Sequence, residues 1–204
     1  KYGSEYMYTP MTLLLNAGFD IYQTRMGVNK DLFKFPYRTA VANIFRNLGN
    51  PSRAVKKYGL KSFIFEEVFP LTFSDEARWW PNYQLHLLGG GMTYTYLLEY
   101  FTYHKYDNPV FFAILSYWSY HFCNEIVENW GNARISVDAV SDIYIFDLAG
   151  MFLFMPKKVR HFFSRKLNLA DWSMQPIFST QEDLLENNGQ YFSLKWRLPF
   201  SRNK

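Results

Sequence analysis

The side chains of this sequence best suited to chemistry gather in its middle. His121, Glu125 and Glu128 follow one another at i, i+4 and i+7, which puts all three on one face of a helix. Ser136 and Asp138 open a further segment in which Asp138 and Asp142 again stand four apart, with Asp147 beyond them and Gly150 allowing close packing. His86 lies upstream, shortly before Gly89-Gly90-Gly91. Two facing helices would gather up to five carboxylates and one or two imidazoles. Carboxylate oxygen and imidazole nitrogen suit Zn, Mn or Fe, and crowded carboxylates raise one another's pKa as a general acid–base pair requires. Neither the Glu-x-x-His pair of di-iron bundles nor His-Glu-x-x-His is present. The glycines are not followed by the Lys-Ser/Thr of a phosphate loop, and Ser116, Ser119, Ser136 and Ser141 lie in no nucleophile-elbow pattern.

The favoured reading is therefore structural. His121 and Glu125 hydrogen-bond across helices, Asp138 caps or begins its helix, and Glu128 is solvated near Asn129-Trp130-Gly131. On that reading no catalytic residue and no cofactor is expected. The alternative is a divalent metal held by His86, His121, Glu125, Glu128, Asp138 and Asp142, in an envelope metal-binding protein or metal-dependent hydrolase. His121, Glu125 and Asp138 are expected to converge between two packed helices, because an unpaired charge on an apolar segment is expensive.

Helices must hold these residues, and the flanking pattern supplies them. Thr9-Pro10 before Met11, Leu13, Leu14, Leu15 and Phe19 reads as a capped helix ending near Gly27. Val41, Ile44, Phe45 and Leu48 recur at helical spacing within Tyr37–Leu48 and stop at Gly49-Asn50-Pro51, before a basic stretch of Arg53, Lys56, Lys57 and Lys61. Residues 62–78 show no sustained period and read as a loop or connector. Gly89–Gly91 leads into a helical stretch, Met92 to Tyr103, and reads as a kinked, tightly packed helix. After the Asp107-Asn108-Pro109 turn, two apolar runs follow, Asn108 to Asn124 and Ala139 to Met155. His121, Asp142 and Asp147 interrupt them, so they read as interfacial helices or helices inside a larger membrane protein, not independent spans. Cys123 reads as a buried, inert thiol.

Aromatic residues make up 21% of the chain, while mean hydropathy stays at −0.23. Rings with polar tips suit interfaces, including membrane headgroup belts. The net charge of +4 is mild and its basic residues form short clusters, which argues against nucleic acid. After Pro156, Lys157, Lys158, Arg160, Arg165 and Lys166 interleave with Phe162 and Phe163, a pattern that can lie on an anionic lipid surface. Residues 190–200 alternate, with Phe192, Leu194 and Trp196 on one side and Ser193, Lys195 and Arg197 on the other, after the turn signal Asn187-Asn188-Gly189. This barrel-type strand is expected to pair with strands from outside residues 1–189. The opening on Lys1 is read as a removed signal peptide or an internal start, and the ending Ser201–Lys204 as a truncation.

The order Trp80-x-Asn82-Tyr83-x-x-His86-x-x-x-Gly90, then Trp118 and Glu125, then Ser136-x-Asp138 leading to Gly150, resembles the bacterial family called domain of unknown function 3943. The likeness covers about the middle third of the chain. It departs at the triple glycine, and at Phe152-Leu153-Phe154-Met155-Pro156, where the family ends its last helix on Gly-Glu. The resemblance implies a short helical envelope module, commonly followed by an outer-membrane barrel, and no particular reaction. The expected fold is mainly α: packed aromatic-rich helices with a C-terminal β-strand that pairs outside the helical module. Residues 1–78 read as N-terminal helices and connector, 79–156 as the central helical module, 157–189 as basic amphipathic segment and linker, and 190–204 as a strand that starts a barrel. The expected role is structural or interactive, on the periplasmic side of a bacterial outer membrane. Its partners would be membrane lipids and another outer-membrane protein or a downstream barrel, with no nucleic acid. A soluble periplasmic adaptor is a third reading.

Overall fold

The computed structural model describes residues 9–14, 35–70, 77–131, 135–171, 176–181, 184–187 and 191–195. Helix α1 (Pro10–Leu13) opens as its sequence predicts, with the Thr9 hydroxyl accepting from the Thr12 N–H at 3.0 Å. The rest of that expected helix, Leu15 to Gly27, lies outside the described residues. Helix α2 (Tyr37–Gly49) stops at Asn50, whose side chain accepts from the Arg53 N–H at 3.2 Å and so starts α3 (Pro51–Tyr58). Gly59 then takes a φ of 105°, a conformation that suits glycine.

The chain re-enters a helix at once. Helix α4 runs over Leu60–Ser62 and continues in π-turns over Phe63–Val68, burying Phe63 and Glu67. This corrects the reading of the whole of 62–78 as a loop. A segment that winds with i→i+5 hydrogen bonds does not show the 3.6-residue period by which helices are recognised. Helix α5 likewise begins in π-turns (Trp80–Gly90) and continues as regular helix (Gly91–Tyr103). Helix α6 (Pro109–Glu128) is regular throughout, capped by the Asn108 side chain, which accepts from the Phe111 N–H at 3.2 Å. Helix α7 spans Asp138–Phe154, with π-turns over Asp142–Asp147, and Pro156 separates it from α8 (Lys157–Lys166) at an angle of 83°. Among the described residues no single helix is long and apolar enough to cross a membrane.

The fold is mainly helical and its core is aromatic. Tyr94, Tyr96 and Phe101 of α5 pack with Tyr117 and Tyr120 of α6 and with Phe154 of α7. Helices α5 and α7 meet backbone to backbone. A Cβ placed on Gly150 would stand 2.6 Å from the Leu87 carbonyl oxygen and 3.0 Å from that of His86, so only glycine fits there.

Among the described residues four short strands follow the helices, three of them in the stretch read as a linker. Strand β1 (Leu169–Asp171) pairs antiparallel with β4 (Phe192–Leu194), and β2 (Pro176–Ser179) with β3 (Leu184–Asn187). Asp171 faces Phe192, and Pro176 faces Asn187, so both pairs keep one register offset, as along a single hairpin. The C-terminal strand therefore pairs outside the helical module, but with residues 169–171 of this chain. The expectation that its partners come from outside residues 1–189 falls, and the inference to a truncated barrel drawn from an unpaired strand falls with it. Trp196 lies outside the described residues. Phe192 packs against the helical core, and its ring reaches within 3.0 Å of where a Gly89 Cβ would be, which explains that glycine.

Candidate functional site

The π-turns of α5 and α7 aim His86, Asp142 and Asp147 at one another. Asp147 is fully buried. Its Oδ1 lies 3.1 Å from His86 Nδ1 and accepts from the Tyr117 hydroxyl of α6 at 2.9 Å. Its Oδ2 lies 3.1 Å from His121 Nδ1, and the other nitrogen of His86, Nε2, faces Asp142 Oδ2 at 3.5 Å. The His86 and His121 rings stand 5.3 Å apart between centroids. Three helices thus meet in an imidazole–carboxylate cluster inside an aromatic core.

Two polar arms flank this centre, the second joined to it through Asp142. In the first, Asn129 donates to Glu125 Oε2 at 3.1 Å, and Asn47 of α2 donates to Asn129 Oδ1 at 3.2 Å. Asn43 adds a bond to the Asn129 carbonyl at 2.8 Å. In the second, Ser141 lies 3.2 Å from Asp142 Oδ1 and 3.4 Å from Glu67 Oε2, and Asn82 donates to the same Glu67 oxygen at 3.2 Å. Asn82 and Tyr83 also bond the carbonyls of Glu67 and Val68, closing the end of α4 that would otherwise leave them unpaired. The second arm opens to solvent at a pocket of about 200 Å³ lined by Tyr58, Glu67, Arg78, Ser136 and Asp138.

Burial and crowding govern the protonation of these groups. Burial pushes Glu125 well above the usual carboxylate range, and the negative charges of Asp142, Glu128 and Asp138 push the same way. Burial likewise raises Asp142 well up, against the lowering effect of His86. Burial lowers His86, but the carboxylates of Asp142, Asp147 and Glu125 outweigh it and hold its pKa up at about 10. Burial takes His121 down to about 4, with Asp147 opposing and the neighbouring His86 adding to the drop. The two imidazoles are thus pushed in opposite directions, His86 towards its protonated form and His121 towards its neutral one.

The sequence-derived residues are brought together unequally. His86, His121 and Asp142 belong to the centre, and Glu125 heads the first arm. Asp138 is half-buried at the pocket, its N–H bonded to the Ser136 hydroxyl oxygen at 3.2 Å, and Glu128 is half-buried at the end of α6. Tyr117 and Glu67 were not among the candidates, and Asp147, counted among the five carboxylates but left out of the metal set, sits with Tyr117 at the heart of the cluster. Tyr117 had a signal, since it precedes His121 by one turn of α6. On α8, Lys157, Lys158, Phe162, Arg165 and Lys166 are exposed. Two of the residues assigned to the membrane surface are half-buried. Phe163 stacks on Phe154, and Arg160 donates to the carbonyls of Phe154 and Met155 at 2.8 and 2.6 Å.

Fold and centre together define an aromatic-rich helical domain closed around a buried imidazole–carboxylate cluster. No family model matches the chain, and no curated protein or solved structure matches it either.

Proposed function

We propose that this chain is a non-catalytic module that docks on an anionic lipid surface, in a structural or interaction role on the periplasmic side of a bacterial outer membrane. The observation that carries the proposal is a surface groove of about 480 Å³ on α8, lined by Lys157, Lys158, His161, Phe162 and Lys166. Three ammonium groups around one exposed ring complement anionic headgroups above acyl chains. Phe152, Leu153 and Met155 lie exposed at the adjoining end of α7, and the 83° turn at Pro156 sets the basic helix across it. A helix lying in the headgroup plane would then leave that apolar end pointing towards the acyl region. The resemblance to the domain of unknown function 3943 family supports the outer-membrane assignment, and with it a neighbouring outer-membrane protein or barrel as the protein partner. The strands add nothing to that assignment, because they pair with one another.

The test is flotation of the full chain with vesicles of phosphatidylglycerol and phosphatidylethanolamine, compared with phosphatidylcholine alone. Binding to the anionic vesicles is expected, and the Lys157→Gln, Lys158→Gln, Lys166→Gln triple variant should bind about a hundredfold more weakly, at about 1 kcal/mol per lysine near the surface. Absence of binding, or equal binding to both vesicles that the triple variant leaves unchanged, would refute the proposal.

A further inference from the structure

The cluster contains one buried acceptor that the protein leaves unanswered. Asp147 Oδ1 is taken by Tyr117 and His86, but its fully buried Oδ2 has no hydrogen-bond partner. His121 Nδ1 lies 3.1 Å from that oxygen and makes no hydrogen bond to it. An unsatisfied buried acceptor costs about 1–3 kcal/mol, and unlike the other unpaired buried oxygens among the described residues, those of Asn47, Asn124 and Ser193, this one stands between two imidazoles. An imidazole nitrogen held beside a carboxylate oxygen without a hydrogen bond is the arrangement that a shared cation resolves.

We propose that His86, His121 and Asp147 bind one divalent transition-metal ion of borderline softness, with Zn²⁺ as the first candidate. Two imidazoles and one carboxylate form a donor set suited to Zn, Fe or Co and unlike the all-oxygen sets of Mg and Ca. Bonds of about 2.0–2.2 Å place neighbouring donors about 2.8–3.6 Å apart at octahedral to tetrahedral angles. The 3.1 Å between His121 Nδ1 and Asp147 Oδ2 already fits. One donor atom from each of the three residues lies within 4.8 Å of the others, and binding requires the His86 ring to turn and give up its bond to Asp147 Oδ1. His86 is the member with room to turn, its side chain being 18% exposed while those of His121 and Asp147 are 6% and 0% exposed.

The surroundings have the form of an outer coordination shell. Asp142 stands 3.5 Å from His86 Nε2, as the carboxylates that orient metal-binding imidazoles do. Tyr117 holds Asp147 Oδ1 and leaves Oδ2 for the ion. The glycine crossing of α5 on α7 fixes the two helices that carry His86 and Asp147. Glu125, Glu128 and Asp138 do not join the donor set. Three protein donors leave a position open to water or to an oxygen ligand.

The proposal is independent of lipid docking, and its test needs no membrane. The purified full chain, stripped with a chelator, is titrated with Zn²⁺ by calorimetry. Co²⁺ serves as a second probe, read by its visible d–d absorption. One equivalent is expected to bind. His121→Ala should lose at least tenfold in affinity, and Tyr117→Phe, which keeps the ring and removes only the hydroxyl, should lose tenfold to a hundredfold. Glu128→Gln should bind as the parent does. Should His121→Ala not fold, Tyr117→Phe carries the comparison. Absence of saturable one-to-one binding, or Zn²⁺ affinity unchanged in the folded Tyr117→Phe chain, overturns the assignment whatever the vesicle experiment gives.

Discussion

Replacing Gly150 by alanine should destabilise this protein, although the same change in an open helix would stabilise it. Alanine in a helix interior is favoured over glycine by about 0.8–1 kcal/mol. At position 150 the new Cβ would stand 2.6 Å from the Leu87 oxygen, 3.0 Å from the His86 oxygen and 3.2 Å from the Gly91 nitrogen. All three are backbone atoms of α5, so no side-chain rotation relieves the contact. Restoring an ordinary separation of about 3.4 Å moves α7 from α5 by about 0.8 Å, which loosens close-packed contacts along the crossing. Overpacking of this kind costs about 1–3 kcal/mol, and with rigid atoms on the opposing side the upper end applies. The propensity gain leaves a net loss of about 2 kcal/mol, or a fall in Tm of about 4–8 °C for a domain of this size. Gly49→Ala is the control, because a Cβ there meets nothing within 4 Å and the change should be neutral to mildly stabilising. Thermal melts followed by far-UV circular dichroism read both. A Gly150→Ala protein as stable as its parent would show that α5 and α7 do not cross at backbone contact.

Two further outcomes follow from the polar arms and the bend. Burial, with Asp138 adding, raises the Glu67 pKa against Asn82, Arg78 and Ser141, so the fold favours its protonated form. The stabilising contribution of that proton is full below the unfolded pKa of about 4.3 and is lost as pH rises through the elevated folded value. Urea midpoints of Glu67→Gln should therefore gain on the parent as pH rises from 4 to 8, and a pH-independent difference would contradict this. Arg160→Ala removes the two bonds to the carbonyls of Phe154 and Met155 that tie α8 to the end of α7. It should lower stability by about 1–2 kcal/mol in chemical denaturation, and a change below about 0.3 kcal/mol would mean that those bonds do not hold the bend.

What was legible in the sequence followed the regularity of the helices. In α6, helical throughout, i and i+4 spacing places His121 and Glu125 on one buried face, and Asn108 and Pro109 mark its start. In α7 the same rule pairs Asp138 with Asp142, yet the π-turns from Asp142 to Asp147 bring residues five apart to the two nitrogens of one histidine. Asp147 was therefore seen as a residue but not as the centre. Glu67 was hidden for a related reason, lying in π-turns that carry no 3.6-residue signal. The strands are three or four residues long and pair across a gap in sequence, so only the last run, with its alternating rings, stood out. Asn187-Asn188-Gly189 reads as a turn before that run, and its first residue, Asn187, ends β3 opposite Pro176.

A π-turn is an α-turn that has accepted one residue more, so the winding around His86 and between Asp142 and Asp147 leaves this centre sensitive to chain length. Losing any one residue between Pro81 and Leu85 would let that stretch relax to ordinary helix. The helix on either side would stay nearly in phase, because the narrowed turn takes up the missing residue, and the change would fall on the residues within that turn. Hydropathy and composition would scarcely register the change, while the side chains that Asn82, Tyr83 and His86 send to α4 and the cluster would be re-aimed. The same loss from the regular helix α6 would instead turn one part of it by about 100° against the other, so a gap in α6 disturbs a whole helix face and a gap within residues 80–90 or 142–147 only one turn.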